Sequence, residues 1–171
     1  MNMLEKLRQN PRLYALLKFI VKLNLLSIPL YIVLLLNFDF VELQLFVAQI
    51  TEYLLHLSGV PAVRDGINLV IPITGGYWSA SIVWYCVGWK SMLFFLALVF
   101  ATDFNRKKYA LFFLPIIFII NIARIWFMFF FVYNYGLEYY SFIHTLVWSF
   151  GLLFVVIALW LIWIRFIAKK P

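Results

Sequence analysis

Three long runs of apolar residues divide the chain, at about 82–102, 109–133 and 142–164. A helix needs about 20 apolar residues to cross ~30 Å of hydrocarbon, and each run is long enough. A fourth run, about 16–38, is interrupted by Lys18, Lys22, Asn24 and Pro29. Its lysines can snorkel toward an interface, and Pro29 kinks a spanning helix without forbidding it. The pattern predicts an all-α membrane protein with about four transmembrane helices, built as a single integral membrane domain over 1–171.

Between the first two spans lies the only sizeable non-spanning piece, 39–81. Within 40–58, Glu42, Gln49, Glu52 and His56 fall on one helical stripe. Phe40, Leu43, Phe46, Val47, Ile50, Tyr53, Leu54 and Leu57 cover the other faces. That is a short external amphipathic helix, lying on the membrane or capping the bundle. The stretch I-N-L-V-I-P-I-T-G-G-Y-W (67–78) reads as an extended loop turning at Gly75–Gly76.

Charge then orients the spans. Lys6, Arg8, Arg12, Lys18 and Lys22 precede or open the first, Arg106, Lys107 and Lys108 separate the second from the third, and Arg165, Lys169 and Lys170 follow the fourth. These clusters fall on one side of a four-span chain, which the positive-inside rule makes cytoplasmic, as are both termini. The other side carries Asp39, Glu42, Glu52, Arg64, Asp65 and Glu138. Arg64–Asp65 reads as a loop pair. The net charge of +7 is therefore a topology signal, and no nucleic-acid surface is expected. A composition that is 66% hydrophobic excludes an ordinary soluble domain. The first apolar run has no cleavage site after it and reads as a retained anchor.

Ionisable groups inside spans raise a functional question. Arg124 lies about 15 residues into the third span, ~22 Å from the inner boundary and ~8 Å below the outer one. Asn121 is one turn earlier on the same face. Cys86, the only cysteine, lies about four residues into the second span, ~6 Å below the same surface. Gly88 follows, and Lys90 falls one turn below Cys86. His144 opens the fourth span. Singly these read as a structural arginine, a small hydrophobe, a snorkelling lysine and a solvated histidine. Together, Cys86, Arg124 and His144 share one shallow layer on three helices. A thiolate is a nucleophile, a nearby cation favours it, an imidazole can shuttle the proton, and a guanidinium can hold an oxyanion. With one cysteine and two histidines, no zinc site of usual composition can be written. Neither a metal nor a cofactor is expected.

At these residues the chain resembles the exosortase/archaeosortase family of membrane cysteine transpeptidases. The resemblance rests on Cys86-Val87-Gly88, Asn121-Ile122-Ala123-Arg124 and His144, in order, with the I-N-L-V-I-P and G-G-Y-W stretches before them. It covers roughly 40–155. Val87 stands where the family usually has Ser or Thr, and the chain is shorter than the larger members. The C-V-G-W-K-S wording leans toward the archaeal branch. The resemblance implies catalysis by Cys86, Arg124 and His144, supported by Gly88, Lys90 and Asn121. It implies cleavage of the C-terminal sorting signal of secreted proteins (motif, hydrophobic helix, basic tail) through a Cys thioester. Transfer would follow to an acceptor, a membrane lipid, at the extracytoplasmic face of the cell membrane. The competing readings are a non-enzymatic membrane scaffold and a transporter. A transporter predicts polar groups through the whole membrane depth, whereas these gather near one face.

Overall fold

The computed structural model describes residues 10–36, 39–145 and 150–168, and most of them are helical. Helix α1 (Pro11–Leu26) begins where the Asn10 side chain accepts from the Leu13 amide, with proline in the first turn. That cap starts the helix five residues before the predicted span, because a polar first turn carries no hydropathy signal. Ser27 turns its hydroxyl back onto the Leu23 carbonyl, and Pro29 brings no N–H. The ladder breaks there, and α2 (Ile28–Leu35) follows. Pro11–Leu35 together is long and apolar enough to cross a membrane. The last two residues of the predicted span, 37 and 38, lie outside the described residues, as do the basic residues Lys6, Arg8, Lys169 and Lys170.

Helix α3 (Val41–Leu57) is the expected external helix. It buries Gln44, Val47, Ala48, Thr51 and Leu55 and leaves Phe46, Tyr53 and Leu57 exposed. Its polar stripe binds what comes next. Glu52 accepts the Arg64 Nε at 2.9 Å and the Arg64 backbone amide at 3.1 Å. His56 Nε2 lies 2.7 Å from the Ala62 carbonyl. Arg64 therefore pairs with Glu52 on α3 rather than with Asp65, its neighbour in the loop.

The segment expected to be an extended loop is a three-stranded antiparallel meander, β1 (Val63–Asp65), β2 (Asn68–Ile73) and β3 (Gly76–Ser81), in that spatial order. The chain is mostly helical, and this small sheet stands where the extended loop was expected. Leu69 and Ile71 of β2 join Val60, Ala62 and Ile82 in a buried cluster against α3 and the long helix described below. Burial of Leu69, Ile71, Val60 and Ile82 contributes ~1.5–3 kcal/mol each, which fixes the sheet's inner face.

The second predicted span starts late. Residues Trp84–Cys86 form a single 3₁₀ turn, Gly88 takes φ +87, and only then does α4 (Trp89–Ala101) begin. Its 13 residues reach ~20 Å. A 3₁₀ turn at Lys107–Phe112 leads into α5 (Phe113–Tyr135). Lys107–Tyr135 is the second stretch long and apolar enough to span. Helix α6 (Tyr140–Thr145) and α7 (Leu152–Ile162), prolonged by a π turn at Trp163–Ile167, occupy the fourth predicted span. Residues 146–149 between them lie outside the described residues. A second core joins α4, α5 and α7 through Phe95, Val99, Ile117, Val156 and Trp163. At one end, Lys18 and Lys22 of α1 both bind Asp103, just past α4. Large apolar side chains such as Leu35, Phe112, Phe154 and Phe166 stand exposed, an exterior that suits lipid rather than water.

Candidate active site

The site is built where the sheet hands over to α4. Three hydrogen bonds fold the turn: the Cys86 amide to the Val83 carbonyl at 2.7 Å, the Trp89 indole to the Trp84 carbonyl at 3.1 Å, and the Asn121 amide nitrogen to the Cys86 carbonyl at 2.7 Å. The last comes from α5 and crosses 35 residues of sequence. Asn121 is fully buried. A Cβ on Gly88 would lie 2.9 Å from its side-chain Cγ, so the turn reaches α5 only because position 88 has none. The left-handed backbone at Gly88 independently favours glycine. The two motifs, Cys86-Val87-Gly88 and Asn121 to Arg124, therefore interlock as one piece. Val87 is fully buried in the sheet-side core, which an apolar side chain suits better than a hydroxyl without a partner.

Cys86 is not on a helix, as its place in an apolar run predicted. It sits on the 3₁₀ turn, and Lys90 is not one helical turn below it on a shared face, because α4 starts only at Trp89. The thiol opens on a cavity of about 320 Å³ that His144 also lines. Trp78, Ile125, Met128, Phe129 and Tyr140 form much of its wall. Tyr140 packs between Trp78 and His144, with ring centroids 5.2 Å from each.

Arg124 and Lys90 lie elsewhere. They line a second cavity of about 290 Å³ with Gly88, Ser91 and Asn121. Tyr85 lines both cavities and stands between them, with the Lys90 ammonium 3.9 Å above its ring. Of the predicted set, then, Cys86 and His144 meet in one chamber, and Arg124, Asn121, Gly88 and Lys90 support the turn or face the chamber behind it. Among the described residues, no carboxylate lines either cavity. Among the described residues that line the first chamber, the His144 imidazole is the ordinary proton carrier, beside the hydroxyls of Ser81, Tyr85 and Tyr140.

Sequence reasoning missed Trp78, Met128 and Tyr140. Trp78 carried the one available signal: it lies in the G-G-Y-W stretch, at a strand position whose side chain faces the core.

The protein-family comparison gives a match to the model for transmembrane exosortase (Exosortase_EpsH) over residues 7–164. No curated protein and no solved structure is significantly similar to the chain. The family match spans nearly the whole sequence, including the turn that bears Cys86, the α5 motif and His144: the chain belongs to the transmembrane exosortase family.

Proposed function

We propose that the protein is a membrane cysteine transpeptidase that removes the C-terminal sorting signal of secreted proteins and passes them to a membrane lipid. The observation that carries this reading is the cavity that Cys86 and His144 both line, beside a turn clamped by Asn121. Cys86 gives its proton to His144, and the thiolate attacks a substrate carbonyl. The C–S bond forms, the C–N bond breaks, and the leaving amine takes the proton from His144. In the second half, His144 takes a proton from a hydroxyl or amine of the lipid headgroup. That oxygen or nitrogen attacks the thioester, and the thiolate leaves.

Arg124 lines the chamber behind the turn, which suits through-space support of the thiolate better than contact with the carbonyl oxygen. The basic clusters support four spans with both termini cytoplasmic and the Cys86 chamber near the outer face. The partners on this reading are a secreted protein with a motif, a hydrophobic helix and a basic tail, and a lipid acceptor.

The test is the acyl-enzyme. Full-length protein incubated with a tagged substrate, quenched in acid and digested should yield a hydroxylamine-sensitive adduct on the peptide containing Cys86. The adduct mass should equal the substrate up to its cleavage point. Substrate cleaved at full rate by a His144→Ala, Cys86→Ala double variant would remove the reading.

A further inference from the structure

The register of the sheet leaves one set of backbone groups unused. Residues of the central strand β2 alternate between its two neighbours. The two-residue connection Gly66–Ile67 makes Asp65 and Asn68 the closing hydrogen-bonded pair of β1 and β2. The connection Thr74–Gly75 does the same for Ile73 and Gly76 of β2 and β3. Antiparallel pairs then alternate, so Ile71 with Trp78 and Leu69 with Ala80 are the bonded pairs toward β3. The Ile82 amide continues the series, donating to the Ile67 carbonyl at 2.8 Å. Pro72, with no N–H, falls at a position that points away from β3 and beyond the end of β1.

It follows that Tyr77, Ser79 and Ser81 turn their backbone groups away from β2, toward the open edge. Outside the β2 ladder, which the register turns away from them, no backbone bond among the described residues uses the amides of these three residues or the carbonyls of Tyr77 and Ser79. Tyr77, Ser79 and Ser81 are exposed. An exposed strand edge is a ready template for another chain. This one does not end in solvent. Two residues after Ser81 the backbone enters the Cys86 turn, and Ala80, Ser81, Ile82 and Val83 line the chamber that holds Cys86 and His144.

We infer that β3 receives an extended polypeptide segment as a fourth strand and so leads that segment's backbone to Cys86. The identity of the segment rests on the transpeptidase reading: it is the stretch of the secreted protein just before its hydrophobic helix. Main-chain bonds to Tyr77, Ser79 and Ser81 supply affinity without regard to sequence. Alternate side chains of the added strand face the chamber wall of Trp78, Ile125, Met128 and Phe129, and the ones between them face away. Selectivity therefore falls on every second residue, and small or apolar groups suit those positions. Helix α6 bounds the same chamber through Tyr140 and His144, so the segment runs between the edge of β3 and α6.

The test uses the full-length protein coexpressed with a tagged secreted protein ending in a motif, hydrophobic helix and basic tail. In a Cys86→Ala background, Ser79→Cys is combined with single cysteines walked through the ten substrate residues before the helix. Strand pairing should give disulfide cross-links at every second position. In the wild-type background, Ser79→Pro removes one outward N–H and spares the β2 ladder, and should process the substrate about tenfold more slowly than Ser79→Ala, the order expected for one lost hydrogen bond. Thermal unfolding checks that Ser79→Pro is folded, and the cross-link pattern decides if it is not. Cross-links at consecutive positions, no cross-links, or a folded Ser79→Pro as fast as Ser79→Ala would overturn the inference. Failure of the transpeptidase reading looks different: Cys86→Ala would itself release the substrate from its tail.

Discussion

The side-chain amide of Asn121 donates to the backbone carbonyl of Cys86 at 2.7 Å, and so ties the middle of the long helix α5 to the turn that presents the only thiol. The bond lies where water is excluded, since Asn121 is fully buried. A buried bond of this kind is costly to break, because the carbonyl then loses its partner without regaining water.

Gly88 makes that bond geometrically possible. Gly88→Ala would place a Cβ 2.9 Å from Asn121 Cγ at a backbone φ of +87. The combined strain and clash should cost about 1–3 kcal/mol. Unfolding of the purified protein in detergent should occur several degrees lower, and substrate processing should fall at least tenfold. A variant with unchanged unfolding temperature and rate would show that α5 does not hold the turn.

Much of this was legible in sequence, and the failures are local. The I-N-L-V-I-P-I-T-G-G stretch marked extended backbone and a turn near Gly75, but not the strand pairing that makes it a sheet. The spacing of Glu42, Gln49, Glu52 and His56 marked α3. Cys86 was misplaced because W-Y-C-V-G-W is as apolar as the helix it precedes, and hydropathy cannot see the left-handed backbone at Gly88. Arg64 found Glu52 rather than Asp65 because the chain folds back across α3, a pairing no local spacing reports. Tyr140 was hidden by composition: with aromatics at 21% of the chain, one ring among many carries no signal, and Trp78 stood out only through the G-G-Y-W stretch.

Lys90 stacks its ammonium on Tyr85, the residue between the two cavities. Lys90→Met keeps the aliphatic stem and removes the charge. Processing should fall by less than tenfold, with protein levels near those of the parent, as quantitative blotting of enzyme and substrate would measure. Complete loss in well-folded protein would place Lys90 among the essential groups.

Asp103 is held down to about 2 by hydrogen bonds from Lys18 and Lys22. Its free-chain value is ~3.9, so the folded state binds the proton less readily than the unfolded one. The stabilisation is present above about pH 4 and is lost as pH falls toward 2. Asp103→Asn should therefore unfold at a lower temperature than the parent at pH 7 and pH 5, and at the same temperature near pH 2. Because the pair is exposed, high salt should shrink the difference at every pH.

On the proposed topology, Lys108 and the C-terminus are cytoplasmic and the β2–β3 hairpin is outside. Reporter fusions after Lys108 and after Pro171 should both read cytoplasm, and a reporter inserted at Gly76 should read outside. An external signal at Lys108 would move the Cys86 chamber to the wrong face of the membrane.

The most direct measurement is the rate at which a coexpressed, C-terminally tagged substrate loses its hydrophobic helix in the presence of Cys86→Ala. The uncleaved substrate should accumulate with its helix and tag attached, in membranes that contain normal amounts of folded enzyme. Cys86→Ser should be nearly as poor, because a hydroxyl ionises far less readily and no carboxylate among the described residues lines the chamber to assist His144. Processing by Cys86→Ala at the rate of the parent protein would contradict a thioester at Cys86 and leave a membrane scaffold as the reading that fits.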